Sequence, residues 1–314
     1  MSSVEIGGAP PRGSAGLSVY DAMSANRWRT TLLLTLFMAL VAGLAYVFGE
    51  IYSAGAGLVA VPIALAIGSV MAFATYFGGD RVVLSVSHAR ELPEAEAPEL
   101  HHIVEELAIG SGIPKPRVYV VEDPSPNAFA TGRDPQHSSI AVTSGLLQRL
   151  DRTELEGVIA HELSHVRNRD TRVLLIAAVL LGSASLISDL LIRGQLFGLG
   201  QRSRNRSGSG VILILIGLVL AIMAPILAQL IRLGVSRQRE YLADASGALL
   251  TRYPEGLANA LRKITTDPRP SVSANRATAP LCIVDPFHAV PRRLASLFDT
   301  HPPTADRIRR LEAM

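Results

Sequence analysis

One short stretch of the chain carries residues in a spacing that could bind a metal ion. His161, Glu162 and His165 lie in the sequence LEGVIAHELSHVRNRD at 155–170, in the order H-E-x-x-H. Apolar residues recur around them at helical spacing, and Thr153 with Glu156 fits the capping box T-x-x-E that begins many helices. Residues four apart share one helix face, so both imidazoles can reach one ion, and the glutamate can reach a water on it.

A catalytic zinc ion needs more than this pair of histidines, because it usually takes three protein ligands and keeps a fourth position for water. Glu240 and Asp244 lie four apart in SRQREYLADASGALLTR at 236–252, which is also predicted to be helical. One carboxylate can bind the metal while the other accepts a proton from a ligand imidazole. The competing interpretations are an amphipathic helix with two incidental histidines, and a solvated helix whose carboxylates lie beside Arg237 and Arg239.

The composition favours a membrane protein. Hydrophobic residues make up 48% of the 314 residues and aromatic residues only 5%, and the mean hydropathy is +0.30. The net charge of +3 is too small to indicate a nucleic-acid partner. The single cysteine, Cys282, excludes an internal disulfide and lies in an apolar run that predicts a buried thiol.

Four apolar blocks are each close to the roughly 20 residues that a helix needs to cross a bilayer. They predict about four transmembrane helices, at 31–49, 58–77, 173–192 and 211–230. The third block contains Asp189, which we expect near a helix end or paired. The first block follows a polar lead of about thirty residues and is longer than a typical signal-peptide core, so it is predicted to be a retained anchor.

The polar parts of the chain predict a domain of helices and strands, divided by the second pair of blocks. A helix is expected at 99–109 and strands at 117–123, at 127–132 and from 138 onward, which makes the fold class α+β. With four spans, the two polar parts and the N-terminus lie on one side of the bilayer. The arginine-rich loop at 202–206 would then lie on the opposite side, which conflicts with the positive-inside rule unless the third and fourth blocks do not fully span. The predicted segments are a disordered tail (1–29), two transmembrane helices (30–79), the first part of the polar domain with the H-E-x-x-H helix (80–172), a hydrophobic hairpin (173–231) and the second part of that domain with the third candidate ligand (232–314).

The order of several motifs resembles that of the M48 peptidases, and in particular the HtpX family of bacterial membrane zinc proteases. The motifs are two leading spans, NAFATG at 127, HELSHVRNRD at 161, REYLADASGA at 239 and HPPTADRIRRL at 301, and they extend over nearly the whole chain. The resemblance implies a zincin-type (gluzincin) domain that binds one Zn²⁺ per chain.

The resemblance also implies roles for individual residues. It assigns the zinc ligands to His161, His165 and Glu240, and the general base to Glu162. It suggests that Asp244 braces a ligand from behind. His301 and Arg307 would lie near the active site, where either could stabilise an oxyanion or brace a ligand; the alternative for this segment is the start of an amphipathic helix.

The expected function is therefore zinc-dependent hydrolysis of peptide bonds in misfolded or damaged membrane proteins, as part of protein quality control and the stress response. The substrate backbone is expected to add to an exposed strand edge at Asn127, Ala128, Phe129 and Ala130. If the His165 helix continues into the third block, the active site lies close to the bilayer surface. The resemblance places the protein in the bacterial inner membrane, with its active site facing the cytoplasm. The expected partners are unfolded or membrane protein substrates and the lipid bilayer, with no nucleic acid, and the oligomeric state stays open. The alternatives are a zinc-binding membrane scaffold without catalysis, a specialised maturation protease, and a transporter.

Overall fold

The computed structural model describes residue 28, part of the stretch 31–50, and residues 53–176, 237–273, 278–286 and 302–314. This part of the chain forms the following main helices and strands, given in chain order. They are α1 (Ala56–Val86), β1 (Ala89–Glu91), α2 (Pro98–Ser111), β2 (Arg117–Val121), β3 (Ala128–Asp134), β4 (His137–Thr143), α3 (Ser144–Arg149), α4 (Arg152–Arg167), α5 (Arg237–Thr251), α6 (Pro254–Thr265), a 3₁₀ turn (Ala279–Leu281) and α7 (Thr304–Glu312).

Helix α1 is long and apolar enough to cross a bilayer, and it is the one helix among the described residues that meets this criterion. It has 31 residues and a mean hydropathy of 2.2, and only 11% of its most apolar stretch is buried. It contains the predicted second span but continues to Val86, because Val83 and Leu84 near its end are buried against the sheet. The helix therefore connects an apolar, exposed segment directly to the folded domain.

The other predicted spans are described only in part or not at all. The described residues of the first block are helical. The third block is described only as far as Ile176, and the fourth block, Asp189, the arginine-rich loop and the N-terminal tail lie outside the described residues. The prediction of about four transmembrane helices and the predicted segment boundaries therefore stay predictions.

The four strands form one mixed sheet in the order β1-β2-β4-β3. Strand β2 pairs parallel with β4, whereas β1 with β2 and β3 with β4 pair antiparallel. The predicted strands at 117, 127 and 138 are all present, whereas β1 is too short to have a sequence pattern. Strand β3, which carries most of the NAFATG motif, is an edge strand of this sheet.

The sheet has helices on both faces. Because successive side chains of a strand point to opposite faces, Val118, Val120, Ile140 and Val142 pack with α2, α4 and α6 in the larger core. The alternating residues pack with the end of α1 on the other face: Tyr119, Val121, Phe129 and Ala141. The mixed helix-and-strand architecture expected from the sequence is confirmed in this domain.

Helix α4 does not continue into the third apolar block, so the condition on which the helix-length argument for a site close to the bilayer depended is not met. It ends at Arg167, and Arg169 has a left-handed backbone with φ of 60° before the chain becomes helical again at Asp170. A residue in this conformation ends an α-helix and redirects the chain. The turn matters for the site described below.

Candidate active site

Helix α4 begins with a capping box two residues earlier than predicted from Thr153 and Glu156. The side chain of Asp151 accepts a hydrogen bond from the backbone N–H of Glu154, and the Glu154 carboxylate accepts one from the N–H of Asp151. Two orphan N–H groups are thus satisfied reciprocally. The helix is then buried along most of its length, which places His161, Glu162 and His165 in the interior.

Helix α5 lies directly against α4 and brings its carboxylates to the histidines. A Cβ atom on Gly247 would be only 3.0 Å from the backbone nitrogen of His161, so this close approach favours glycine. At this separation, Glu240 and Asp244 are both buried beside the two imidazole rings. Arg239 is buried as well, at 5% exposure, so the interpretation of α5 as a solvated helix is wrong at this face.

Three potential ligand atoms converge on one point. The Nε2 atoms of His161 and His165 are 3.1 Å apart, and the Glu240 carboxylate oxygens lie 3.8 Å and 3.5 Å from them. His161, His165 and Glu240 each offer an atom within 4.8 Å of the others. Two nitrogens bound at about 2.0–2.1 Å to one tetrahedral zinc ion would be roughly 3.4 Å apart, close to the observed separation.

The hydrogen bonds behind the rings show that this donor set fits a cation. The Nδ1 atom of His161 is 2.9 Å from Asp244, and that of His165 is 3.0 Å from Asp170. Carboxylates accept, so in a neutral ring the proton lies on Nδ1 and Nε2 presents its lone pair to the shared point. Two such lone pairs and a carboxylate repel one another, and a divalent cation between them removes that repulsion.

Glu162 lines the same narrow cleft as the three potential ligands. Burial raises the pKa of Glu162 to about 7, with the charge of Glu240 adding to this effect, although His165 and the backbone N–H of Ala130 favour the carboxylate. A carboxyl group whose pKa lies near neutrality is suited to exchanging protons with a reacting group. The cleft also contacts Leu174 and Cys282.

Arg307, from the C-terminal helix α7, lies behind the cluster and is 1% exposed. Its guanidinium donates two hydrogen bonds to Asp244, at 2.8 and 2.7 Å, and one to the carbonyl of Ile283, at 2.8 Å. Burial would raise the pKa of Asp244, but Arg307 and His161 outweigh this and lower it to about 2. Since its donors already serve these acceptors, the geometry favours a bracing role for Arg307 over contact with an oxyanion.

The remaining predicted residues have different locations. His301 lies outside the described residues, so both of its expected roles stay predictions. Asn127 precedes β3 and donates from its side chain to the carbonyl of Val284. Ala128 and Ala130 lie on β3 facing the larger core, and Phe129 packs on the opposite face of the sheet.

The structure adds residues that the sequence analysis had not singled out. Asp170 contacts His165, Arg239 lies beside Asp170, and the backbone of Ile283 contacts both Ala128 and Arg307. The sequence feature that could have indicated Asp170 is its position, five residues after the second histidine of the H-E-x-x-H motif. Cys282 is buried, as predicted, and burial together with the charge of Glu162 raises its pKa.

Comparison with known proteins identifies the family. The model of the family described as Peptidase family M48 matches residues 94–314. The chain is 43% identical over 295 residues to "Protease HtpX homolog" of Dictyoglomus thermophilum, which covers 94% of each chain. It is 45% identical over 305 residues to the protein of the same description from Lactobacillus helveticus, which covers 94% of this chain and 100% of the relative.

A more distant likeness is to the crystal structure of S. mikatae Ste24p, with 19% sequence identity and a TM-score of 0.49; it covers 94% of this chain and 67% of that one. The family match covers more than half of the chain, and the relatives from both bacteria match it almost end to end. The chain therefore belongs to peptidase family M48 and is a metalloprotease of the HtpX type.

Proposed function

We propose that this protein is a membrane-bound zinc endopeptidase that hydrolyses peptide bonds of misfolded or damaged membrane proteins, as a quality-control and stress-response enzyme. The convergence of His161, His165 and Glu240 on one point, with Glu162 beside it in a cleft, is the observation that carries this proposal. His161, His165 and Glu240 would hold one zinc ion in that cleft.

The chain's own residues perform the proton transfers. When bound, zinc would act as a Lewis acid that polarises the peptide carbonyl and lowers the pKa of water toward neutrality. Glu162 takes a proton from the attacking water and passes it to the leaving amine, which a group with a pKa of about 7 can do in both directions. Asp244 keeps the Nδ1 proton on His161, so that the ring stays in the tautomer that leaves Nε2 available.

Strand β3 is the proposed platform for the substrate backbone, because it is an edge strand and contacts Glu162 through the N–H of Ala130. Its first residues already have partners within the protein. The N–H of Ala128 donates to Asn127, and its carbonyl accepts from Ile283. The N–H of Ala130 already donates to Glu162, so the proposed pairing stretch begins at the carbonyl of Ala130. Asn127 and Ala128 instead anchor the 281–284 segment that borders the cleft.

Strand addition recognises extended backbone with little regard to side chains. A short pairing stretch requires only a few residues of substrate in an extended conformation. This suits unfolded chains and loops of damaged proteins, and it is the support for the proposed role in quality control.

The position of α1 supports cleavage close to the bilayer. The Arg133 guanidinium lies 5.0 Å from the ring of Phe77, and that of Arg172 lies 5.5 Å from the ring of Tyr76. Aromatic rings beside cations at the end of an apolar helix are typical of the membrane–water interface. Arg172 follows Thr171, which lines the cleft, so the proposed site lies near this level of the bilayer.

We place the protein in the bacterial inner membrane with its active site in the cytoplasm. A tag on the C-terminus beyond α7 tests this orientation. It should resist protease added to intact spheroplasts and be cleaved in inverted vesicles, and cleavage in spheroplasts would contradict the placement.

The enzymatic proposal is tested with the purified full chain in detergent and casein as substrate. Chelation should abolish cleavage and added zinc should restore it. Glu162→Gln should lower the rate by about 10²- to 10⁴-fold, the usual contribution of a general base, while the bound zinc stays unchanged. A scaffold that binds zinc without catalysis would have no activity to lose.

Glu156→Gln is the matched control, because it makes the same chemical change on the same helix. Glu156 pairs with Arg152 at the surface, away from the cluster. Its activity should stay near that of the unmodified protein. Retention of more than a tenth of the activity by Glu162→Gln would contradict the assignment of the base.

A further inference from the structure

His165 has a carboxylate partner behind it that differs from the partner of His161. The Nδ1 atom of His165 is 3.0 Å from an oxygen of Asp170, and the two residues are 6% and 1% exposed. Its other ring nitrogen, Nε2, faces His161 and Glu240. The Asp170 carboxylate therefore approaches the ring from the side opposite to the proposed metal.

The backbone at the end of α4 is what brings Asp170 back to the ring. On a continuous helix, a residue five positions along lies about 100° further round the axis than a residue four positions along. It therefore faces away from the first residue. The left-handed turn at Arg169, with φ of 60°, breaks the helix just before Asp170. Because a non-glycine residue rarely adopts this conformation, the surrounding structure must maintain it, and its consequence is the contact between Asp170 and His165.

A buried arginine balances the charge of this carboxylate. Arg239 Nη1 lies 3.8 Å from the second oxygen of Asp170, and Arg239 directly precedes Glu240 on α5. The arrangement parallels the one at the other histidine, where Asp244 contacts His161 and Arg307 contacts Asp244. Each imidazole thus has its own carboxylate, and each carboxylate has its own buried arginine.

We propose that Asp170 is a positioning residue for His165, and that Arg239 supports it in this role. The carboxylate holds the Nδ1 proton and the plane of the ring, so that Nε2 is presented to the zinc ion. Arg239 also joins the turn after α4 to the helix that carries Glu240, which couples the position of one ligand to that of another. This inference rests on the proposed zinc site and extends it to the turn after the H-E-x-x-H helix.

The competing explanation is that Asp170 only stabilises the fold, because it also begins the next helical segment, where an acidic residue is favourable. Zinc affinity separates the two explanations. It is measured on the full chain in detergent, made metal-free, by competition with a chromophoric zinc chelator. The unfolding temperature of each metal-free protein is measured in parallel, together with the absorption spectrum of the Co²⁺-loaded form.

Asp170→Asn keeps the size of the side chain and should weaken zinc binding by about 10- to 100-fold, the usual effect of losing such an outer partner. Asp170→Ala should weaken it at least as much, and both should change the Co²⁺ spectrum. Asp267→Asn is the control, because Asp267 is also buried and paired with an arginine, Arg269, but does not contact the cluster. Its zinc affinity should stay within about threefold of the unmodified protein.

The inference is overturned if Asp170→Asn binds zinc as tightly as the unmodified protein, even if its metal-free form unfolds at a lower temperature. It is also overturned if Asp267→Asn loses as much affinity as Asp170→Asn. If the unmodified chain itself binds no zinc, the proposed function fails as well. That result is distinguishable, because it is seen before any variant is compared.

Discussion

Arg307 and Asp244 lie 63 positions apart, yet the guanidinium of one donates two hydrogen bonds to the carboxylate of the other, at 2.8 and 2.7 Å. Both side chains are almost completely buried. The pair joins the C-terminal helix to the helix that carries Glu240, and Asp244 in turn contacts His161. These side-chain contacts thereby connect α7 to α4, the helix that carries the H-E-x-x-H motif.

Removing one member of this pair should destabilise the domain strongly, because the other charge would be left buried. We expect Arg307→Ala to lower the free energy of unfolding by about 3–5 kcal/mol, as is typical for a broken buried ion pair. Arg307→Lys should restore little of it, since an ammonium cannot replace the two parallel hydrogen bonds of the guanidinium. Denaturant unfolding of the metal-free protein measures both variants.

Arg309→Ala is the control for this prediction. Arg309 lies on the same helix, but its side chain is 75% exposed. It should change the free energy of unfolding by less than about 0.5 kcal/mol. Equal destabilisation by the Arg307 and Arg309 substitutions would show that the buried pair has no special importance.

Glu240→Gln should remove a zinc ligand while the shape of the side chain stays almost the same. A neutral amide is a poor replacement for the carboxylate, so zinc affinity should fall by more than the roughly 100-fold upper limit for an outer partner. Zinc content after dialysis and chelator competition measure this change. Glu255→Gln, an exposed glutamate on α6, should bind zinc normally. Undiminished zinc binding by Glu240→Gln would exclude Glu240 as a ligand.

Peptide substrates with a single methylated backbone nitrogen test the strand-addition proposal. Because Ala128 already pairs with Ile283, only substrate positions next to the stretch from Ala130 onward should depend on their N–H group. Methylation there should lower kcat/KM by roughly 3- to 10-fold for each lost hydrogen bond, and elsewhere it should have little effect. Equal sensitivity at every position, or none at any, would argue against pairing with β3.

Asp123→Asn should alter the acid stability of the domain. The Asp123 carboxylate accepts hydrogen bonds from Ser271, Val272 and Ser273. It thereby fixes the position of these three residues relative to the end of β2. Burial raises the pKa of Asp123, but the hydrogen bonds from the serines and from the backbone outweigh it and lower the pKa below 3.8. The stabilisation is therefore complete well above this pH and is lost as the pH falls through the lowered pKa.

At neutral pH, Asp123→Asn should lower the free energy of unfolding by roughly 2 kcal/mol. The difference from the unmodified protein should shrink as the pH falls below about 4. Thermal unfolding of the metal-free proteins between pH 7 and pH 3 measures this difference. Glu122→Gln, which changes the exposed neighbouring residue, is the control. A difference that grows on acidification would contradict the assigned direction of the pKa shift.

Much of the architecture could be predicted from local patterns. The strands at β2, β3 and β4 have alternating or apolar runs, and the helix expected at 99–109 is present as α2, Pro98–Ser111. The predicted cap of α4 was wrong because two T-x-x-E or D-x-x-E frames overlap, and only backbone geometry distinguishes them. The end of α4 at Arg167 could not be predicted, because the left-handed conformation at Arg169 is rare for any residue other than glycine.

Helical periodicity placed His161 with His165, and Glu240 with Asp244, on common faces, because the geometry of one helix depends only on spacing along the chain. It could not tell whether the two helices meet, how Asp170 returns to His165, or that Ile283 occupies the first part of the β3 edge. Those relationships arise from packing between segments far apart in sequence, such as the close approach at Gly247, and no local pattern encodes them. The residue types and their spacing thus indicate which chemistry this chain can perform. The arrangement in which these residues act together depends on how α4, α5 and α7 pack.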